Sequence, residues 1–508
     1  MITQQGSLNT TALVVPDLYI QIVPPQVTLL NGVPTNILGV VGTACWGPVN
    51  VPVPVVSMSD YAQKFGALQN RTYDMGTAVA VAVLQGAANF RCVRVTDGTD
   101  LAATVTVLSN CMTFTAKYSG TLGNSLTVTL SAGSQSGTQK VVVSLPGLTP
   151  EVFDNIGSGL SGGMLWGAIA SAINNGTSTV RGPSGLIVAT VGAGVTAPAA
   201  ASYGLSGGTD GALAITSAIL TGQDSVPRKG MYALRNTGVS IALLSDLTDP
   251  ATWTAQAAFG LTEGVYMILS GAPGDTIANA TAIKMTSGLD SYAVKLMFGD
   301  WIYWMDPVNG LTRLVSPQGF VAGRLANLSP EQSSLNKPLY GVVATQKSAQ
   351  NATYASAELQ MLAQAGIDLI TNPVPGGSYF GVRIGHNASS NAVTNGDNYT
   401  RMTNYLASTL NAGMGVYVGQ LQSPAKDDPL RGKVRATLDN FLSNMGSQNQ
   451  IAAWQVVCDL SNNPVSRIAL GYLQADVRIQ YLSVVEKFLV NMEGGQSVSI
   501  IRQSTRTS

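Results

Sequence analysis

Few residues in this 508-residue chain have the type and spacing to do chemistry. Its one histidine, His386, lies in the polar stretch Gly385-His386-Asn387-Ala388-Ser389, and a Ser–His–acid hydrolase would have to use it as the base. The nucleophile pattern G-x-S-x-G occurs twice, at Gly159-Leu160-Ser161-Gly162-Gly163 and at Gly204-Leu205-Ser206-Gly207-Gly208. A working elbow needs a strand before the serine and a helix after it, and the sequence signals neither strongly at Ser161 or Ser206. Gly432-Lys433 lacks the upstream glycine and the following Ser/Thr of a phosphate-binding loop. Cys45, Cys92, Cys111 and Cys458 are scattered with no C-x-x-C pair. With a single histidine they do not make a zinc site of normal composition, and they read as buried, reduced thiols. Asp427-Asp428 suits a solvated helix start better than a metal site. N-x-[ST] triplets at Asn351 and Asn398 have no meaning without secretion. No catalytic, cofactor-binding or metal-binding residue is expected.

The elements behind these residues are clearest near the C-terminus, from Lys426 to Ile500. Pro429 to Leu442 reads as a helix, with Leu430, Val434, Leu438, Phe441, Leu442 and Met445 in one apolar stripe. Asp427 and Asp428 sit at the positive end of its dipole, Pro429 suits the first turn, and Gly446 is expected to stop it. The stripe leaves Lys433 and Asn440 outward and Arg431 and Arg435 at the rim. Trp454–Leu460 and Gln474–Ser483 read as strands, the second alternating Val477, Ile479 and Tyr481 against Asp476, Arg478 and Gln480. Glu486–Met492 reads as a third. After Gly494-Gly495 comes an apolar tail, Val498 to Ile501, that calls for a partner sheet.

The N-terminus mirrors this. Leu18, Ile20 and Ile22 alternate with Tyr19, Gln21 and Val23, and Pro24-Pro25 ends any sheet pairing. Such a strand is not stable alone. It folds back on its own domain or adds to another chain's sheet edge.

Between the termini the chain is too long for one core, and 45% apolar against 11% charged residues excludes a disordered polymer. The 27 basic and 27 acidic residues cancel, so neither nucleic acid nor a membrane surface is an expected partner, and little opposes self-association. No Lys or Arg precedes Lys64, so no signal peptide is expected. No apolar run reaches the roughly eighteen residues of a spanning helix. A soluble, cytosolic product follows. Over 26–100, Ile37–Thr43 and Phe90–Val95 read as strands, Met58–Gly66 as a helix capped by Ser59 or Asp60, and Thr72–Gly86 as a buried helix. From 101 to 210 only Lys117, Lys140 and Arg181 are basic and only Glu151, Asp154 and Asp210 acidic. Strands at Thr104–Leu108, Leu126–Leu130 and Val141–Leu145 make this an inserted β-rich domain. The α/β pattern resumes at 211, with Val239–Leu244, Gly264–Leu269 and Ala293–Met297 as strands, Thr276–Gly288 and Ala355–Gly366 as helices, and Trp301, Tyr303 and Trp304 as core or interface. The fold class is a multi-domain α/β (α+β) chain. It has a mixed-sheet core, an inserted β-rich domain, and a C-terminal α/β domain carrying extended N- and C-terminal arms.

The ordered set of local patterns resembles the contractile tail sheath family of bacteriophages. Val15-Pro16-Asp17-Leu18-Tyr19-Ile20 is similar to the family's opening Pro-Gly-Val-Tyr-Ile strand. Gly39 to Ala44, Trp46-Gly47-Pro48, Tyr61 to Gly66 and Phe90 to Val95 follow in family order. Gly120-Thr121-Leu122-Gly123-Asn124 and Gly207-Gly208-Thr209-Asp210-Gly211 resemble the two ends of its inserted domain. Ser316-Pro317-Gln318-Gly319-Phe320-Val321-Ala322-Gly323 is the most specific match. The C-terminal helix, Val457-Cys458-Asp459, Asn463-Pro464, Gly471-Tyr472-Leu473 and Glu486-Lys487-Phe488 complete it. One departure stands out: Asn327-Leu328-Ser329-Pro330 replaces the family's Asp near an Arg-Gly pair, so no contact of that loop carries over.

The resemblance implies a non-enzymatic sheath subunit with no cofactor. It forms hexameric rings, stacked helically around a tail tube protein and bounded by baseplate and tail terminator proteins. It is located in the virion after assembly in the host cytoplasm. It implies a division into an N-terminal strand-donating arm (1–25), a core domain in two parts (26–100 and 211–345), an outer insertion (101–210), a C-terminal polymerisation domain (346–493) and a C-terminal arm (494–508). Leu18, Tyr19, Ile20, Ile22, Val498 and Ile500 are then the subunit-linking residues, and Arg431, Lys433 and Arg435 lie on a tube-facing helix. Head-to-tail contacts that do not close on themselves give open helical assemblies. Three other readings compete: the sheath of a bacteriocin or injection system, a serine hydrolase built on Ser161 or Ser206, and a secreted adhesin or surface-layer protein.

Overall fold

The computed structural model describes residues 2–5, 19–22 and 30–492. Its centre is a six-stranded sheet ordered Val294–Met297, Tyr266–Ser270, Ile241–Leu244, Leu38–Gly42, Phe90–Arg94, Pro52–Val55. Neighbours run parallel except at the Pro52–Val55 edge. That edge carries two prolines, which lack the N–H that an interior strand must donate. Leu38–Gly42, Ile241–Leu244, Tyr266–Ser270 and Val294–Met297 are buried along their whole length, because a parallel sheet is covered on both faces. One face is covered by helices Met75–Leu84 and Gln318–Asn327, through Val79, Val81, Phe320 and Leu325. Trp253, Phe259, Leu234 and Leu362 cover the other. The Ser316–Gly323 motif has a packing reason here: a Cβ on Gly323 would lie 2.5 Å from Ala82 Cα, so glycine lets the two helix backbones touch.

Local chemistry departs from expectation in places. The cap of helix Met58–Phe65 is Ser57, whose hydroxyl accepts from Asp60 N (3.1 Å), while the Asp60 carboxylate accepts from Val56 N (3.0 Å). Ser59 and Asp60 thus lie inside the first turn, and Ser57 and Asp60 satisfy the end reciprocally. Trp304 and Trp301 are core residues, 2% and 8% exposed, on or beside strand Ile302–Asp306.

Residues 101–210 form a four-stranded and a three-stranded antiparallel sheet with their own apolar core around Phe114, Phe153 and Trp166. They also contain an unforeseen helix, Gly162–Asn175, which buries Leu165, Trp166, Ile169 and Ile173. The root of this insertion is tightly bonded to the main sheet. Arg94, fully buried, donates to the carbonyls of Gly47 (2.8 Å), Ser119 (2.7 Å) and Asp210 (3.1 Å), and Arg71 pairs with Asp210 at 2.6 Å.

Helix Ser356–Gln364 and the segment to Ala388 pack with the main sheet. A separate core begins at helix Asp397–Met414 and joins Met402 and Leu406 to helix Pro429–Ser447 and the hairpin Ile451–Val457/Asp476–Tyr481. The expected third strand, Glu486–Met492, is irregular, with Phe488, Leu489 and Met492 exposed. At the N-terminus Tyr19–Ile22 is a strand, as the alternation predicts, and it pairs in parallel with Ile2–Gln5. Leu18, Val498, Ile500 and the 494–508 arm lie outside the described residues.

Candidate functional site: an open hairpin bolted to the core

The C-terminal hairpin pairs Val457 with Asp476, Val456 with Val477 and Trp454 with Ile479, slipping register between Ile451 and Ala453. Val477, Ile479 and Tyr481 turn toward the apolar core under the hairpin and Arg478 and Gln480 toward solvent, as the alternation predicts. The sheet has only these two strands, so among the described residues each has one edge of backbone N–H and C=O groups free to pair with an added strand. Asn463, 1% exposed, closes the connection by bonding Asp459 O (3.0 Å), Gln474 O (2.8 Å) and Gln474 N (2.6 Å).

Beneath the hairpin, helix Pro429–Ser447 begins at Asp428, whose carboxylate accepts from Arg431 N (3.2 Å). Gly446 does not stop it. A Cβ there would come 2.5 Å from the Trp454 ring, so glycine serves close approach of the strand and the helix runs on to Ser447. Nor is Arg431 at the rim. It is 2% exposed, donates to Ser423 O (2.8 Å) and Ala425 O, and lies 3.7 Å from Asp428. Arg431 therefore fixes the loop before the helix. Lys433 and Arg435 are exposed, Arg435 beside Asp439 at 3.6 Å.

What joins this unit to the main sheet is a charged cluster that sequence reasoning missed. Lys295, within the strand Val294–Met297, reaches Asp368 (2.6 Å) and Asp397 (3.0 Å), and all three side chains are 0% exposed. Asp397 opens helix Asp397–Met414 and also accepts from Tyr266 Oη (2.6 Å), Ser334 N (3.1 Å) and the Ser334 hydroxyl. Asp368 accepts from the backbone N–H groups of Leu369, Ile384 and Gly385. Burial disfavours the Asp397 carboxylate, but the Lys295 charge and these hydrogen bonds outweigh it and bring its pKa down to about 2. Burial likewise opposes the Lys295 cation, and the two carboxylates more than offset it, leaving its pKa raised. Arg401 adds a second tie, donating to Leu328 O (2.8 Å) and Ser329 O (2.9 Å). The Asn327–Pro330 loop, where the family pattern breaks, thus receives an internal contact.

The residues with catalytic potential are not brought together. Ser161 does have a strand upstream (Glu151–Ile156) and a helix directly after it, correcting the sequence expectation, and it is the exposed N-cap of that helix. Ser206 exchanges backbone hydrogen bonds with Thr104 (2.8 and 3.1 Å), and Asn124 clamps Gly208 beyond it (2.7 and 3.0 Å). His386 bonds Glu486 and Asn395 instead, and among the described residues no serine hydroxyl hydrogen-bonds its ring. The four cysteines are buried, and burial pushes the Cys45 thiol up to about 11. Among the described residues no group of three or more His, Cys, Asp or Glu is placed to hold a metal ion, and no helix is long and apolar enough to cross a membrane.

A doubly covered α/β sheet, a β-rich insertion at its edge and a bolted C-terminal unit with an open hairpin define a multi-domain structural fold. This is the fold of the contractile tail sheath proteins. The chain resembles a sheath tail protein of Desulfitobacterium hafniense (TM-score 0.57, 17% identity, 87% of this chain and 93% of that one). It also resembles one of Listeria innocua (0.60, 14%, 89% and 96%). The sheath complex of an extracellular contractile injection system in its contracted state matches as well (0.54, 11%, 96% and 99%). No protein-family profile and no curated protein matches by sequence.

Proposed function

We propose that the chain is the structural subunit of a contractile phage tail sheath. It polymerises as stacked hexameric rings around a tail tube and contracts to drive the tube through the host envelope. The observation that carries this is the likeness to sheath structures over 87–96% of the chain, joined to a hairpin whose two outer edges are open among the described residues. In this reading the N-terminal arm (Leu18, Tyr19, Ile20, Ile22) and the C-terminal arm (Val498, Ile500) complete the hairpin sheet of neighbouring copies. Backbone pairing of that kind survives rigid-body rotation of the subunits. The 101–210 insertion faces outward, and Lys433 and Arg435 face the tube protein. Baseplate and terminator proteins bound the cylinder, which is assembled in the host cytoplasm and carried in the virion. Energy stored at assembly drives contraction, and the chain has no catalytic role. Negative-stain microscopy of the purified protein tests this: hollow, striated cylinders are expected, and a protein that stays monomeric across salt and concentration would refute it.

The sheath of a related injection system is the second reading, favoured by the likeness to such a sheath at 96% coverage of this chain. Isolated particles separate the two, because a phage tail ends in a DNA-filled head.

A further inference from the structure

The three-stranded sheet of the insertion ends at the strand Ile187–Val191, which among the described residues pairs only with Met112–Ser119. Residues 186 to 191 read Leu-Ile-Val-Ala-Thr-Val, apolar or β-branched at every position and free of proline. No charged residue occurs between Arg181 and Asp210. A stretch of this kind on a sheet edge is the usual seed of pairing between copies. Other edges of this protein carry the ordinary deterrents: Pro52 and Pro54 on the main sheet, Glu151 and Asp154 on the outer strand Glu151–Ile156. Ile187–Val191 carries neither. Side chains occupy its outward backbone groups instead. Along an antiparallel edge alternate residues turn both polar groups outward, and Ala189, in the middle, is one of them. Asn174 Nδ2 donates to Ala189 O (2.8 Å), and Asn174 Oδ1 accepts from Ala189 N (2.9 Å). The Ser184 hydroxyl accepts from Ile187 N (3.1 Å). Asn174 comes from the last turn of the helix Gly162–Asn175 and is itself exposed, so beyond it the edge faces solvent.

We propose that Asn174 is an edge block: its amide stands in for a partner strand and keeps the insertions of two copies from pairing along Ile187–Val191. A side-chain amide presents the donor and the acceptor that a peptide group would present to Ala189. An approaching strand has to displace it, and then finds Ile187 N already bonded to Ser184. What the block excludes is a second copy of this chain. Each copy offers the same uncharged edge, and two such edges fit antiparallel about a two-fold axis. Water can take the place of the exposed amide on Ala189, so folding does not depend on it. The consequence for a sheath, outward insertions that do not fuse with one another, rests on the reading above; the block itself does not.

Sedimentation velocity of the full-length chain over a range of concentrations tests it, with Asn174→Ala and Asn174→Asp beside the parent. Asn174→Ala frees the edge, and self-association should strengthen about tenfold or more, the equivalent of one or two net hydrogen bonds. Asn174→Asp keeps the acceptor for Ala189 N and sets like charges against each other in a paired edge, so it should associate no more than the parent. Both variants should melt as the parent does. Where cylinders form, those of Asn174→Ala should bundle side by side in negative stain and those of Asn174→Asp should stay separate. Equal association of Asn174→Ala and the parent, equal association of the two variants, or an Asn174→Ala chain that fails to fold would overturn the block, whether or not the protein forms a sheath.

Discussion

Replacing Lys295 with methionine removes the cation that pairs with two carboxylates, both 0% exposed. The apolar stem is kept and the charge is lost, so Asp368 and Asp397 lose their shared ion-pair partner. Breaking a buried pair this way costs about 3–5 kcal/mol, on the order of 3–5 °C in Tm for a 508-residue chain. The sign with pH follows from Asp397. Its folded pKa of about 2 lies below the ordinary 3.8, so its contribution is present above 3.8 and lost as pH falls through 2. In Lys295→Met the Asp397 carboxyl loses its principal support, its pKa rises, and the deficit is present at neutral pH. The assay is thermal unfolding at pH 7 and pH 3. The gap between variant and parent should be large at pH 7 and smaller at pH 3, where the orphaned carboxyls take up protons. The triple variant Lys295→Met, Asp368→Asn, Asp397→Asn should recover part of the loss. A Lys295→Met protein melting within about 2 °C of the parent at pH 7 would refute the reasoning.

Other consequences are equally open to measurement. Burial raises the Asp74 carboxyl to about 6, so its contribution is full below 3.8 and is lost as pH rises through 6; the Tm gain between pH 7.5 and 5 should shrink in Asp74→Asn. Deleting all of 101–210 strips Arg94 of two of its three acceptors, so the cut should be at 126–204, keeping both strands of the root. That variant should fold and still assemble, and a folded variant that never polymerises would contradict an outward insertion. Charge reversal at Lys433 and Arg435 should spare the fold and weaken assembly on the tube in a salt-dependent way. Arg431→Glu should instead lower Tm, because that side chain is buried against Asp428; equal melting of both variants would remove this distinction.

Periodicity made the backbone of the fold readable. Leu38–Gly42 and Tyr266–Ser270 are apolar runs too short for helices, and the stripe from Leu430 to Met445 has one helical solution. Glycine misled twice, because its use for close approach cannot be told from its use as a stop. Gly446 touches Trp454, and Gly162-Gly163 masked a helix whose Leu165, Trp166, Ile169 and Ile173 already had the right spacing. Arg431 was also legible, since it precedes Val434 and Leu438 by three and seven residues and so shares their face. Lys295 was not. It sits inside an apolar run, and its partners Asp368 and Asp397 are 73 and 102 residues away. The same holds for His386 and Glu486, 100 residues apart, a pairing that only the folded chain creates.

The central claim is that copies of this chain are linked by exchanged strands. A helical reconstruction of the assembled cylinder, resolved well enough to trace the termini, tests it most directly. The account predicts that residues 14–23 and 496–501 add as strands to the free edges of Ile451–Val457 and Asp476–Tyr481 in neighbouring copies. An intact cylinder in which both arms pair within their own chain would contradict it.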